Sequence, residues 1–201
     1  MAQLLRFLAP FIAIVCLNLA HAQGTFIYDQ RSSYETNLLE GTTGIQSNQP
    51  MGQSFTPTLS SIGFIRLWLY DGAFPNGVPG SAYINLRSGS INGPILGSTS
   101  LVPLPANSVG FTDFIFDTPV ALTPGTQYYF QPVLQDSLSR GLNQANYFYA
   151  GGTLILNGQP DPRDRDLWFR EGIIIPEPSV VSLILLSVGI FAWRKRKCGT
   201  S

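Results

Sequence analysis

The chain predicts an all-β domain, a β-sandwich of jelly-roll type, and three observations carry that expectation. Glycine and proline are frequent and recur between apolar-aromatic runs, at 72–80, 88–94, 103–108 and 118–125. The runs between them are short, about evenly spaced, and eight or nine in number. No convincing amphipathic helical period interrupts them. No internal repeat is visible, which speaks against a propeller or a solenoid. Among sandwiches, the jelly roll is the topology preferred.

The first twenty-two residues read as an export leader. Arg6 is the lone cation of a basic n-region, 7–19 is the apolar h-region, and Ala20-His21-Ala22 fits a small-x-small cleavage pattern. Cleavage by signal peptidase would leave Gln23 first. Cys16 follows Val15, where a lipoprotein cysteine wants a small residue, so lipidation is not expected there.

Residues 23–175 then have the size of one domain. The whole chain is formally neutral, with twelve basic and twelve acidic residues. Arg6 and Arg194, Lys195, Arg196 and Lys197 lie outside the domain, leaving it seven cations, all arginine. Only Glu177 lies outside among the acids, leaving eleven, so the domain carries about four net negative charges. Nucleic acid is a poor partner for such a surface, since its affinity comes chiefly from cations on phosphates.

The only histidine, His21, belongs to the leader, and the cysteines, Cys16 and Cys198, lie in the leader and the tail. The exported domain therefore cannot form a disulfide, a Ser-His-Asp or Cys-His catalytic set, or the usual zinc sites. Its stability must come from its core and any bound ions. Chemistry run by carboxylates alone, as in glycosidases, remains open.

Candidate strands are 25–28, 53–56, 62–70, 82–87, 97–101, 111–116, 127–134, 147–149 with 153–156, and 167–170. Alternation assigns their faces. Ile65, Leu67 and Leu69 form one side of their strand and read as core. Arg66, Trp68 and Tyr70 form the other, either a partly covered face or a ligand platform. In the same way Tyr128, Phe130 and Leu134 oppose Tyr129, Gln131 and Val133, and Phe114 and Phe116 oppose Asp113 and Ile115.

After the domain comes Pro176-Glu177-Pro178, an uncharged apolar run to Trp193, and the cations Arg194, Lys195, Arg196 and Lys197. A helix over about 179–193 would cross a membrane and stop with its cations on the cytoplasmic side. Pro178 to Trp193 is sixteen residues, roughly 24 Å of helix against a hydrocarbon core of about 30 Å. That is a short span, better suited to a segment that is handled and removed than to permanent residence. Triplet, span and basic cluster together resemble the PEP-CTERM sorting signal of Gram-negative bacteria. The resemblance covers only about 176–197, and Cys198-Gly199-Thr200-Ser201 extends beyond the family's pattern. It implies that Pro176, Glu177 and Pro178 are recognised by an exosortase, a membrane enzyme thought to cleave near the triplet. The cations would be the retention element. The other reading is an ordinary single-pass anchor.

Within the domain, Gln53-Ser54-Phe55-Thr56-Pro57, Ile62 to Leu67, and Leu122-Thr123-Pro124-Gly125-Thr126-Gln127-Tyr128-Tyr129-Phe130 resemble the jelly-roll modules carried ahead of such signals. Those modules are similar in outline to carbohydrate-binding sandwiches. The resemblance implies a fold more than a function.

Two constellations bear on function. Asp161, Asp164 and Asp166 alternate on a loop and form a candidate calcium set of hard oxygen ligands. Arg163 and Arg165 are interleaved with them, and favour a solvated turn with local ion pairs instead. The second is the aromatic population Trp68, Tyr70, Tyr83, Tyr128, Tyr129, Tyr147, Tyr149 and Trp168. Such rings stack on sugars, or simply favour strands and fill a core that lacks disulfides. Arg66, Trp68 and Tyr70 are the candidate glycan-binding residues.

The expectation is thus an exported, non-enzymatic envelope or biofilm-matrix protein of a Gram-negative bacterium. It would be held transiently in the inner membrane, then sorted to the surface in association with extracellular polysaccharide. No cofactor is expected beyond a calcium ion. A carboxylate-dependent glycan hydrolase and a purely structural, permanently anchored surface protein are the alternatives.

Overall fold

A computed structural model describes residues 24–32, 41–72, 76–135, 140–145 and 149–176. The expected leader (1–22), Glu177 and Pro178 of the expected sorting triplet, the expected span at about 179–193 and the cations at 194–197 lie outside the described residues. Pro176 is described and is exposed. Contacts divide the chain into a unit over Phe26–Ile174 and a second made of Met1–Thr25 with Ile175–Ser201. Only the first is described at length.

Among the described residues fourteen strands make two seven-stranded sheets, an all-β fold with the arrangement of a β-sandwich. In chain order they are β1 (Thr25–Arg31), β2 (Thr42–Gly44), β3 (Gly52–Phe55), β4 (Ser61–Asp71), β5 (Gly80–Ser88), β6 (Ile95–Ser98) and β7 (Val102–Leu104). There follow β8 (Val109–Ala121), β9 (Tyr128–Leu134), β10 (Arg140–Ala145), β11 (Leu154–Leu156), β12 (Gln159–Pro160), β13 (Asp166–Leu167) and β14 (Phe169–Ile175). The one described helix is a single 3-10 turn at Gln46–Asn48. Among the described residues no helix is long and apolar enough to cross a membrane.

The first sheet is built on β4. Along one side β8 pairs with it antiparallel from Ser61↔Ala121 to Tyr70↔Val109, with a register shift between Ile62 and Phe64. Along the other side β14 takes Phe64 to Leu67 and β10 takes Leu69 to Asp71. β1 lies outside β14, while β2 and β13 pair with β10. The second sheet runs β12-β11-β3-β9-β5, with β6 and β7 sharing the outer side of β5.

Alternation places the core where the sequence predicts it. Ile65, Leu67 and Leu69 of β4, Phe114 and Phe116 of β8, and Tyr128, Phe130 and Leu134 of β9 are all buried in one cluster. Arg66, Trp68, Tyr70, Tyr129, Gln131 and Val133 are half-buried on the opposite faces. The turn into β9 follows its chemistry. Pro124 precedes Gly125 at φ +76°, and Thr126 N–H donates to Thr123 C=O at 3.1 Å. This is the type II pattern, which asks for glycine where φ is positive.

Several boundaries differ from expectation, each for a tertiary reason. The strand expected at 97–101 is divided. Thr99 N–H bonds Ile84 C=O on the second sheet, and Ser100 N–H bonds Ile115 C=O on the first. The chain thus steps between sheets there before β7 begins. β8 runs on through Pro119, inside an expected turn, because an edge strand tolerates a residue that has no N–H to donate. The strand expected at 167–170 breaks at Trp168, with β13 on β10 and β14 on β4. Tyr149 stands outside a strand, and Tyr147 lies outside the described residues. β2, β10 and β12 were not expected, being short or polar, and are recruited by their neighbours.

Candidate functional site

The outer face of the first sheet carries the predicted platform. Period-two alternation along β4 projects Phe64, Arg66, Trp68 and Tyr70 to one side, and the register with β8 sets Ile115, Asp113, Phe111 and Val109 beside them. The structure therefore brings Arg66, Trp68 and Tyr70 together on one half-buried row.

Arg66 is engaged in a fork. Its Nε and Nη2 donate to the two oxygens of Asp113 at 2.5 and 2.8 Å, and Nη1 donates to the Tyr28 hydroxyl at 2.7 Å. Its guanidinium also sits 5.1 Å from the Phe26 ring centroid and 5.8 Å from that of Tyr28. Arg170 lies 5.0 Å from the Tyr28 centroid and 5.1 Å from that of Trp168. Phe111 then connects both tryptophans, edge-on to Trp68 at 4.4 Å and tilted on Trp168 at 4.3 Å.

Exposure separates structural rings from available ones. Trp168 is 1% exposed and Phe64 is fully buried, so both hold the face together. Phe111 at 43% and Tyr28 at 40% are open. Neither was singled out from the sequence, because exposure on a strand depends on what packs over it. Their neighbours could have pointed to Phe111, since it stands directly across from Trp68 once the register is known. Chemically the row offers aromatic faces beside a cation already neutralised by a carboxylate. That suits stacking on apolar ring faces better than capture of an anion.

Elsewhere, a shallow groove of about 150 Å³ opens where β7 meets β8. Leu69, Pro103, Leu104, Pro105 and Val109 to Thr112 line it. Phe111 belongs to both the groove and the aromatic row.

The candidate calcium residues are not brought together. Asp161 is buried and accepts from Arg165 Nε at 2.5 Å and Nη2 at 3.1 Å. The Arg165 hydrogen bond holds its carboxyl below the usual range. Asp164 is exposed, with φ +55°. Asp166 points inward to the Gln53 amide at 2.7 Å and the Tyr149 N–H at 2.6 Å. Burial still raises it to about 6. Among the described residues no group of three acidic or other metal-binding side chains converges.

Sequence reading missed a buried polar cluster at one end of the sandwich. Glu171 of β14 is fully buried, and among the described residues no donor meets either of its oxygens in hydrogen-bond geometry. Burial pushes its carboxyl up to about 8, with the Asp29 carboxylate adding to the rise; the nearby Gln30 N–H lowers it somewhat without being aligned to donate. Tyr149 is raised to about 12 by burial, and the fields of Glu171, Asp29 and Asp166 add to the shift. Its hydroxyl donates to Gln30 Oε1 at 3.0 Å and accepts from Thr56 N–H at 3.2 Å. Asp29 differs from its neighbours. Burial raises its pKa, but hydrogen bonds from Thr58, Leu59 and Gln30 outweigh that and hold it low.

No family model matches the chain, and no curated protein matches it. Function must be argued from the geometry and the motifs alone.

Proposed function

We propose that this is an exported, non-enzymatic envelope or matrix protein that associates with extracellular polysaccharide through the outer face of the β4 sheet. The observation that carries this reading is the row of half-exposed and exposed rings, Tyr28, Trp68, Tyr70 and Phe111, on one sheet face whose arginine is already paired. Sugars present flat C–H faces, and exposed aromatics are their natural platform. The topology we assign is a jelly roll. It is supported by the way the chain changes sheet from β3 to β4, β4 to β5, β7 to β8, β8 to β9 and β9 to β10. A hydrolase is less favoured, because Glu171 and Asp166, the acids raised by burial, are turned away from solvent.

Phe111→Ala and Trp68→Ala are each expected to weaken binding to the host's own polysaccharide about five- to tenfold, the worth of one stacked ring. Calorimetric titration checks this, with thermal unfolding run alongside. Unchanged affinity in a folded Phe111→Ala protein would move the platform elsewhere. Turnover of a glycan that depends on one carboxylate would replace the reading with the hydrolase.

Delivery is proposed to follow the sorting signal. Replacing Glu177 or the flanking prolines should leave membrane insertion intact and block processing, because it alters the entrance and little of the apolar area. Intact mass of the envelope-associated protein, in hosts with and without the exosortase, reads the outcome. Protein that keeps 180–197 in both hosts would establish a permanent anchor.

A further inference from the structure

β1 is a strand held on by few apolar contacts. It closes the first sheet beyond β14, and none of its residues is buried. Phe26 and Tyr28 lie edge-on over Phe64 at 4.7 and 5.7 Å, Arg66 and Arg170 stack on their outer side, and Arg66 Nη1 donates to the Tyr28 hydroxyl. Asp29 accepts from the N–H groups of Thr58 and Leu59 at 2.7 and 2.9 Å and from the Thr58 hydroxyl. Gln30 accepts from Tyr149, and Ser32 exchanges hydrogen bonds with Phe169 at 3.1 and 3.0 Å.

Beneath this strand sits Glu171, fully buried and, among the described residues, met by no donor. The backbone leaves it no way out. At the next residue, Gly172, an added Cβ would come within 1.9 Å of the Ile27 carbonyl oxygen, so β1 lies directly against β14. The Asp29 carboxylate lies near enough for its field to raise Glu171 further. Asp29 is held as the carboxylate by its donors, so Glu171, buried beside that charge and without a donor among the described residues, is held as the neutral acid. A fully buried carboxylate beside a second negative charge is disfavoured both by lost solvation and by repulsion. Arg66 and Arg170 lie against Tyr28, which alternation sets on the opposite face of β1 from Asp29. Among the described residues on the Glu171 side, the ionisable groups are Tyr149, from the segment before β11, and Asp166, from β13, which reaches it through Tyr149. Both are acids, so neither offers a compensating positive charge.

We propose that the buried acid form of Glu171 is a latch that keeps β1 on β14, and that loss of its proton lets β1 detach while the rest of the sandwich stays folded. What β1 leaves behind is the unpaired edge of β14 and the uncovered ring of Phe64. The step therefore converts a closed sheet end into an open strand edge. This proposal stands independently of polysaccharide binding.

The test is hydrogen exchange of the full-length chain between pH 5 and 9, corrected for the intrinsic rate at each pH. Segment 25–31 is compared with segment 128–134. Above the ordinary range of a glutamate, protection of β1 relative to β9 should fall by up to about tenfold per pH unit, and level off beyond the value held by the buried acid. Glu171→Gln, which keeps the donor and cannot ionise, should keep that ratio flat. Equal loss of protection in β1 and β9 would overturn the latch, and so would a flat ratio in the parent chain. If Glu171→Gln does not fold, the parent profile alone decides.

Discussion

Glu171→Gln should unfold at nearly the same temperature as the parent chain at pH 5 and at a clearly higher temperature at pH 8.5. In the folded protein burial raises Glu171 to about 8, from an ordinary 4.5. A group whose pKa is higher in the folded state stabilises fully below its unfolded value, and that contribution is lost as pH rises through the folded value. The loss therefore spans about pH 4.5 to 8 and is of order 3–5 kcal/mol if β1 stays in place. Asp166, raised to about 6, adds a smaller loss of the same sign between its ordinary 3.8 and that value. Asp29 and Asp161 are held low and act oppositely, withdrawing support as pH falls through their titration. Maximum stability should thus fall in mildly acidic solution. For a domain of this size each kcal/mol is worth roughly 2–4 °C, so the substitution should gain on the order of ten degrees at pH 8.5. A smaller gain is the sign of the latch, since freeing β1 lets Glu171 reach water and caps the loss. A parent chain equally stable at pH 5 and 8.5 would show that the buried acid has found a donor.

The two faces of β4 were legible in the sequence because alternation needs no tertiary knowledge. Ile65, Leu67 and Leu69 are apolar in a row, and their burial follows. The same logic sets Arg66, Trp68 and Tyr70 on one side. What those three do was not legible. The Asp113 partner of Arg66 is set by the register of β8, 47 residues away in sequence. Phe111 sits in a run whose Phe114 and Phe116 dominate the pattern, so its exposure emerges only when β8 is seen as an edge. Glu171 is hidden differently. Arg170-Glu171-Gly172 reads as a polar strand end, yet the strand runs on to Ile175 and turns its glutamate beneath β1. β10, with its Gly141, Asn143 and Gln144, lacks strand propensity and forms because β4 and β2 offer partners on both sides. Local pattern decides faces here, and long-range pairing decides neighbours.

Phe169→Ala is the substitution expected to damage the fold most, and Phe111→Ala should barely touch it. Both replace a phenylalanine on the same sheet. Phe169 is fully buried at the start of β14 and packs across the sandwich on Phe130, with centroids 5.2 Å apart. It also meets Tyr149 edge-on at 5.2 Å, so it joins the apolar core to the polar cluster at its end. Removing the ring leaves a cavity between two sheets that each have their own hydrogen-bonded ladder and cannot close together. Such changes lower stability by about 3–5 kcal/mol. With no cysteine in residues 23–175, no disulfide limits the unfolded chain, and total stability rests near the usual 5–15 kcal/mol. The variant should therefore lose roughly a third or more of its stability, read as a lower urea midpoint with an unchanged slope. Phe111, at 43% exposure, rests on the outside of Trp68 and Trp168, and its removal should lower stability by about 1 kcal/mol or less. Chemical denaturation of the two variants side by side separates core from platform. Comparable losses would mean that Phe111 is a structural cover for Trp168, and the polysaccharide face would have to be sought elsewhere on the domain.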